Sequence, residues 1–167
     1  RQRMLLRSQA GENELNIREQ SEKLAERPRD FYCHINLLVA YLYANENGKA
    51  LEVFLTAEKE FGDNALLYAC GGDLYKRMGS YEEAFGCWDK AFALDSELTA
   101  VLWSKGFCYE EIGEYEKAYN VWMELVAWLE ERGYEAEVEE PRRLAERCRE
   151  KMGLPQKSIP QRHKSLY

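Results

Sequence analysis

The amino-acid sequence predicts an all-α chain of stacked helical hairpins, and three observations predict it. The first is self-similarity. Shifting the sequence by 34 residues aligns Tyr41, Tyr75 and Tyr109, then Ala50, Ala84 and Ala118, then Phe54, Trp88 and Trp122. The second is composition. Among 167 residues there are 4 Pro and 11 Gly against 32% charged residues. Turn formers are too few for an all-β fold, and Glu, Leu, Ala, Arg and Lys favour helix. The third is the shared glycine of Met78-Gly79-Ser80 and Ile112-Gly113-Glu114, which divides each unit into two helices of about 13 residues. Such repeats bury apolar surface against the neighbouring copy rather than in one globular centre. A single domain is expected for this length.

Three full units are expected, at 31–64, 65–98 and 99–132. The small residues on the first helices, Gly72 and Gly106, together with Ala84 and Ala118 on the second, let the two backbones approach closely. Tyr75, Trp88, Tyr109 and Trp122 then fill the space between helices. The first unit departs from this pattern, with Leu38 at the small position and Asn45-Glu46-Asn47-Gly48 at the turn, which predicts slightly more open packing. Residues 1–30 read as a degenerate leading repeat. Gly11 and Pro28 hold the turn and closing positions, whereas Asn16 and Gln20 stand where Ala and an aromatic recur. Residues 133–152 read as a capping helix running from Pro141 to Met152, with a stripe of Leu144, Cys148 and Met152 spaced four apart. Residues 153–167 have two prolines and no periodicity, and read as a tail.

Tyr68-x2-Gly71-Gly72-x2-Tyr75 with Ala84-x3-Trp88, and Leu102-x2-Lys105-Gly106-x2-Tyr109 with Ala118-x3-Trp122, resemble the tetratricopeptide repeat (TPR) family. Its pattern is W-x2-L-G-x2-Y, then A-x3-F, then P, and the resemblance covers about 100 residues. It implies a right-handed α-solenoid whose first helices line a concave groove while the second helices form the outer wall. Carried over residue by residue, the groove positions are Tyr32, Ile35, Asn36, Val39, Leu42 and Tyr43 in the first unit. In the second they are Leu66, Ala69, Cys70, Asp73, Lys76 and Arg77, and in the third Trp103, Ser104, Phe107 and Glu110. A face this apolar implies a contact site, with Tyr and Trp anchoring an extended or helical segment of another protein. The rival occupants are the chain's own C-terminal helix or tail, and a second copy in a homodimer or self-association scaffold. Clamping of a chaperone's acidic C-terminus is disfavoured, because only Asn36 suits that subgroup's Lys, Asn and Arg pattern. The run from Tyr81 to Asp95 with Trp128 to Glu135 is also similar to repeat regions of bacterial Cro-repressor-like helix-turn-helix regulators. That likeness implies a sensor and dimerisation part whose DNA-binding domain lies outside these residues.

The rest of the sequence narrows the function by exclusion. A net charge of -7 argues against a phosphate-binding surface, so no direct nucleic-acid partner is expected within these residues. The basic residues at the ends, Arg1, Arg3 and Arg7 and Lys151, Lys157, Arg162 and Lys164, read as solvated. Cys33, Cys70, Cys87, Cys108 and Cys148 contain no C-x-x-C pair and fit reduced thiols in a cytoplasm. No apolar run is long enough for a membrane helix. His34 falls where the repeat carries a core Trp or Leu, and packing is its expected role. The paired acids Glu82-Glu83, Glu110-Glu111, Glu130-Glu131 and Glu139-Glu140 point to different sides of a helix and read as solvated faces. Gly71-Gly72 is a packing contact inside a helix rather than a phosphate loop. No nucleotide-binding, hydrolase or metalloprotease motif occurs. The expectation is a non-enzymatic protein-binding module with no cofactor and no metal.

Overall fold

The computed structural model describes residues 2–9 and 11–153; the tail expected beyond Gly153 lies outside the described residues. The elements are α1 (Gln2–Gln9), α2 (Asn13–Glu26), α3 (Phe31–Tyr43), α4 (Asn47–Phe61), α5 (Ala65–Arg77), α6 (Tyr81–Leu94), α7 (Ala100–Glu111), α8 (Tyr115–Glu131) and α9 (Glu139–Lys151). Among the described residues all regular structure is helical. They group into two compact units, Arg1–Ser104 and Lys105–Tyr167, which divide within α7.

In the first unit the helices pack in chain order, α1 on α2, α2 on α3, α3 on α4, α4 on α5 and α5 on α6. The first helices also touch side by side, α1 with α3 and α3 with α5. The turns inside the hairpins obey the same period. Gly11, Asn45, Gly79 and Gly113 have φ of 79°, 58°, 77° and 81°. This left-handed conformation costs an ordinary L-residue about 1–2 kcal/mol, and Asn is the non-glycine residue that tolerates it best. The repeat at 31–64 therefore keeps the same turn without glycine. The first helices α3 and α5 begin on side-chain caps. Asp30 accepts from the Tyr32 amide at 2.9 Å, and Asn64 accepts from Leu66 and Leu67 at 3.0 and 3.2 Å.

The helical glycines act as sockets. A Cβ on Gly72 would lie 2.3 Å from Nε1 of Trp88, and one on Gly106 would lie 2.5 Å from the Trp122 ring. Each indole is laid against the backbone of its own hairpin's first helix and is sealed from solvent, at 1% exposure for Trp88 and 0% for Trp122. Burial of such side chains contributes about 2–3 kcal/mol apiece. Gly71 serves the next interface, since its Cβ would meet Phe54 of α4 at 2.5 Å. In the repeat at 31–64 Leu38 replaces the socket and Phe54 replaces the indole, so a larger first-helix residue is matched by a smaller ring. Both are buried, and the expected looseness leaves no exposed surface at either residue.

The leading hairpin has a polar interior. Asn16 is fully buried and its Nδ2 donates to the Met4 carbonyl at 3.0 Å, while Gln20 is also buried. Arg7 departs from the expected solvated terminus, because its guanidinium pairs with Glu19 and is largely shielded. Lys23 at 2.8 Å and Arg7 hold the Glu19 carboxyl down to about 2.

In the second unit α8 runs to 17 residues, longer than the expected 13 or so. It closes at Gly133, whose φ is 75°. The capping helix α9 starts two residues before Pro141, which lies in the first turn, where a missing amide is tolerated. Pro141, Leu144, Ala145 and Cys148 form its buried face against α8, and Met152 is half-buried.

Candidate functional site

The first helices of the first unit touch side by side, α1 with α3 and α3 with α5, and most of the expected groove residues are carried by α3 and α5. On α3, Tyr32 is 64% exposed, and Asn36 and Tyr43 are half-buried. Ile35 and Val39, at 0% and 9% exposure, depart from the expectation, as does buried Leu42. Because α3 is packed by α1, α2, α4 and α5, little of its circumference is left open. These three side chains serve the core.

On α5, Leu66 and Lys76 are half-buried and Asp73 is exposed, whereas Cys70 is buried. Arg77 reaches solvent but is committed to packing. Its Nη1 donates to the Leu42 carbonyl at 3.0 Å and to Asn45 Oδ1 at 3.1 Å, closing the C-terminal end of α3. Asp73 combines exposure with crowding, as expected for a group on a recessed surface. Desolvation raises its carboxyl above the usual range, with Trp88, Arg77, Ser104 and Lys76 pulling it back. The Trp88 Nε1 itself finds no acceptor at hydrogen-bonding geometry, although Asp73 lies near enough to feel it. Trp103 and Ser104, at the start of α7, are half-buried.

The second unit holds the other two expected residues. Phe107 is 43% exposed and sets its ring edge-on to Trp122, with centroids 5.0 Å apart. Glu110, expected both in the groove and on a solvated face, is instead an internal link. It accepts from Trp122 Nε1 at 2.9 Å, and its other oxygen accepts from Arg147 of α9 at 2.6 and 3.1 Å. Lys76 stands 34 residues earlier and cannot accept, which is why Trp88 lacks the equivalent bond. The capping helix is thus tied to the very residue that a bound segment was expected to meet.

Sequence reasoning missed Leu5, which is 41% exposed on α1. It stands 34 residues before buried Val39, so the repeat register alone did not mark it as exposed. His34 packs as its register predicts, with Nε2 at 2.8 Å from the Pro28 carbonyl and the Phe61 ring edge-on at 5.1 Å. Among the described residues no three His, Cys, Asp or Glu side chains are grouped to hold a metal ion, and no helix is long and apolar enough to cross a membrane.

No protein-family model and no curated protein sequence matches the chain. Solved structures do. The crystal structure of MamA is similar at TM-score 0.60 and 17% identity, over 88% of this chain and 92% of that one. A thermophilic TPR protein from Thermus thermophilus is similar at TM-score 0.68 and 18% identity, over 90% of this chain and 78% of that one. A tetratricopeptide repeat protein from Parabacteroides merdae gives TM-score 0.61 at 16% identity, over 91% of this chain and 65% of that one. At these identities the likeness is one of fold. With helices packed in chain order within the first unit, a 34-residue spacing of left-handed turns and glycine sockets for the second-helix aromatics, the chain has the tetratricopeptide repeat fold, an α-solenoid.

Proposed function

We propose that this chain is a non-catalytic module that holds a segment of another protein against its first helices. In the first unit the contact residues are Tyr32, Asn36 and Tyr43 of α3 with Leu66, Asp73 and Lys76 of α5, continued by Leu5 on α1 and by Trp103 and Ser104. The observation that carries the reading is Tyr32, an aromatic left 64% exposed near the start of α3, with half-buried Tyr43 about three turns further along the same helix and half-buried Leu66 on the touching helix α5. Large aromatics at recessed positions supply binding area at low entropic cost. Phe107 offers the second unit an anchor of its own. Asp73 adds chemical preference. A carboxylate already short of water gains from a cation or from N–H donors, so the favoured segment carries apolar side chains and a basic residue. The reduced cysteines, most of them buried, suit a reducing compartment, and we place the module in the cytoplasm.

The test is capture from a cell lysate by the wild-type chain, by Tyr32→Ala/Tyr43→Ala, and by Leu55→Ala, which alters an exposed residue of α4. Loss of captured protein is expected for the double variant alone. Capture that survives it, or that falls with Leu55→Ala, places binding elsewhere and ends the proposal.

A further inference from the structure

The turn Asn45-Glu46-Asn47-Gly48, where the repeat at 31–64 departs from its neighbours, carries a chemistry of its own. A backbone amide reaches the carboxamide of a preceding Asn with least hindrance when it belongs to Gly, which has no side chain to stand in the way. Asn47 and Gly48 open α4, and three observations leave them loosely held. The earliest backbone bond of α4 runs from the Ala50 amide to the Glu46 carbonyl at 3.0 Å, so the Gly48 N–H has no partner within the helix. Glu46 makes no side-chain cap bond, unlike Asp30 and Asn64 at the starts of α3 and α5. The Asn47 Oδ1 finds no donor, and a Cβ on Gly48 would meet nothing within 4 Å. Other asparagines of the first unit lack this combination. Asn45 Oδ1 accepts from Arg77, and Asn64 Oδ1 accepts from two backbone amides. Asn13 and Asn16, whose Oδ1 atoms also lack a donor, are followed by Glu14 and Ile17 rather than by Gly.

We propose that Asn47 is a self-modification site, deamidated by the Gly48 amide and water without an enzyme. A helical backbone holds the two groups apart, so the uncapped first turn must fray before they meet. The Gly48 nitrogen then bonds to the Asn47 Cγ as the Cγ–Nδ2 bond breaks, and the amide proton leaves with Nδ2 as ammonia. A five-membered succinimide ring results. Water opens it at Cγ to give aspartate, or at the backbone carbonyl to give the isomer whose main chain runs through Cγ. Nothing is oxidised or reduced. The repeat register supplies the consequence. Glu14, Glu82 and Glu116 stand at 34-residue steps from Gly48 and place a carboxylate in the first turns of α2, α6 and α8, whereas the first turn of α4 has no acid. An aspartate at 47 gives α4 the negative charge that the positive end of a helix favours.

Ageing the full 167-residue chain in sterile, mildly alkaline buffer tests this, with isoelectric focusing and peptide mass as readouts. The net charge is expected to move from -7 to one unit more negative. The peptide containing Asn47 should become one mass unit heavier, with ammonia released in equal amount. Asn47→Asp should focus from the outset where the aged chain arrives. Gly48→Ala meets no obstacle in the fold, and should slow the conversion at least roughly fivefold, the effect of about 1 kcal/mol of helix propensity on the frayed fraction alone. Unchanged far-UV circular dichroism checks that this variant is folded. A free peptide of residues 44–51 aged alongside sets the time scale. No mass gain at Asn47 by the time the peptide has converted, a Gly48→Ala chain that converts as fast as wild type, or a gain at Asn45 or Asn13 ahead of Asn47 overturns the proposal.

Discussion

Replacing glycine by alanine inside these helices should have opposite effects at Gly86 and at the two glycines that the repeat marks as packing positions, Gly72 and Gly106. In the middle of a helix the exchange stabilises by about 0.8–1 kcal/mol. Gly86 lies within α6 with nothing near its missing Cβ, and Gly86→Ala should collect that gain in full. At Gly72 the new methyl would sit 2.3 Å from Trp88, and at Gly106 it would sit 2.5 Å from Trp122. Ordinary carbon contacts lie at about 3.5–4.0 Å, so the overlap exceeds about 1 Å. The two rings have almost no exposed surface. Overpacking of this kind costs about 1–3 kcal/mol, here the upper end, and offsetting the helix gain leaves a net loss of about 2 kcal/mol. Urea denaturation followed by circular dichroism, compared at constant m, should therefore separate Gly86→Ala from Gly72→Ala by about 3 kcal/mol. Equal stabilisation by all three substitutions would refute the socket.

The left-handed turn of the first unit gives a second contrast: Asn45→Ala should lose about 1–2 kcal/mol and Asn45→Gly no more than a few tenths, read from the same denaturation curves. Glu19 has its carboxyl lowered from 4.5 to about 2, so its stabilisation is present above pH 4.5 and is lost as pH falls towards 2. With the pairs partly open to water that contribution is about 1 kcal/mol, and Glu19→Gln should flatten the stability profile in that window alone. Glu110→Ala would leave the Trp122 N–H buried without its acceptor and deprive Arg147 of its partner, costing about 1–3 kcal/mol, whereas Glu110→Gln keeps an acceptor and should cost less. Hydrogen exchange should show the Glu110→Ala loss concentrated in α8 and α9.

The features legible in the sequence are those that local spacing dictates. The turn at every thirty-fourth residue, the Ala and aromatic of each second helix, and the buried stripe at Leu144 and Cys148 all follow from residue type at fixed intervals. The turn at Asn45-Glu46-Asn47-Gly48 was read only as a departure from the pattern, and the left-handed conformation that Asn45 takes there was not read. What could not be read was which side of α3 faces outward. Phe31–Tyr43 is apolar nearly all the way round, and without a polar face the pattern cannot distinguish Ile35 and Val39, which pack inward, from Tyr32, which does not. Nor does a sequence reveal that Arg77 is taken by the end of α3, or that Arg147 claims Glu110 from 37 residues away. Such long-range pairs depend on how the helix ends meet in space. Asn16 and Gln20 look like breaks in the repeat, yet both are buried and Asn16 ties α1 to α2 by hydrogen bonding.

The claim on which the functional account rests is that a partner lies along the first helices. Once a protein has been captured, comparing side-chain NMR spectra of the chain with and without it locates the contact directly. The account predicts shifts concentrated at Tyr32, Tyr43, Leu66 and Asp73. Shifts confined to outer residues such as Leu55 of α4 and Leu94 of α6, with those four unmoved, would contradict it.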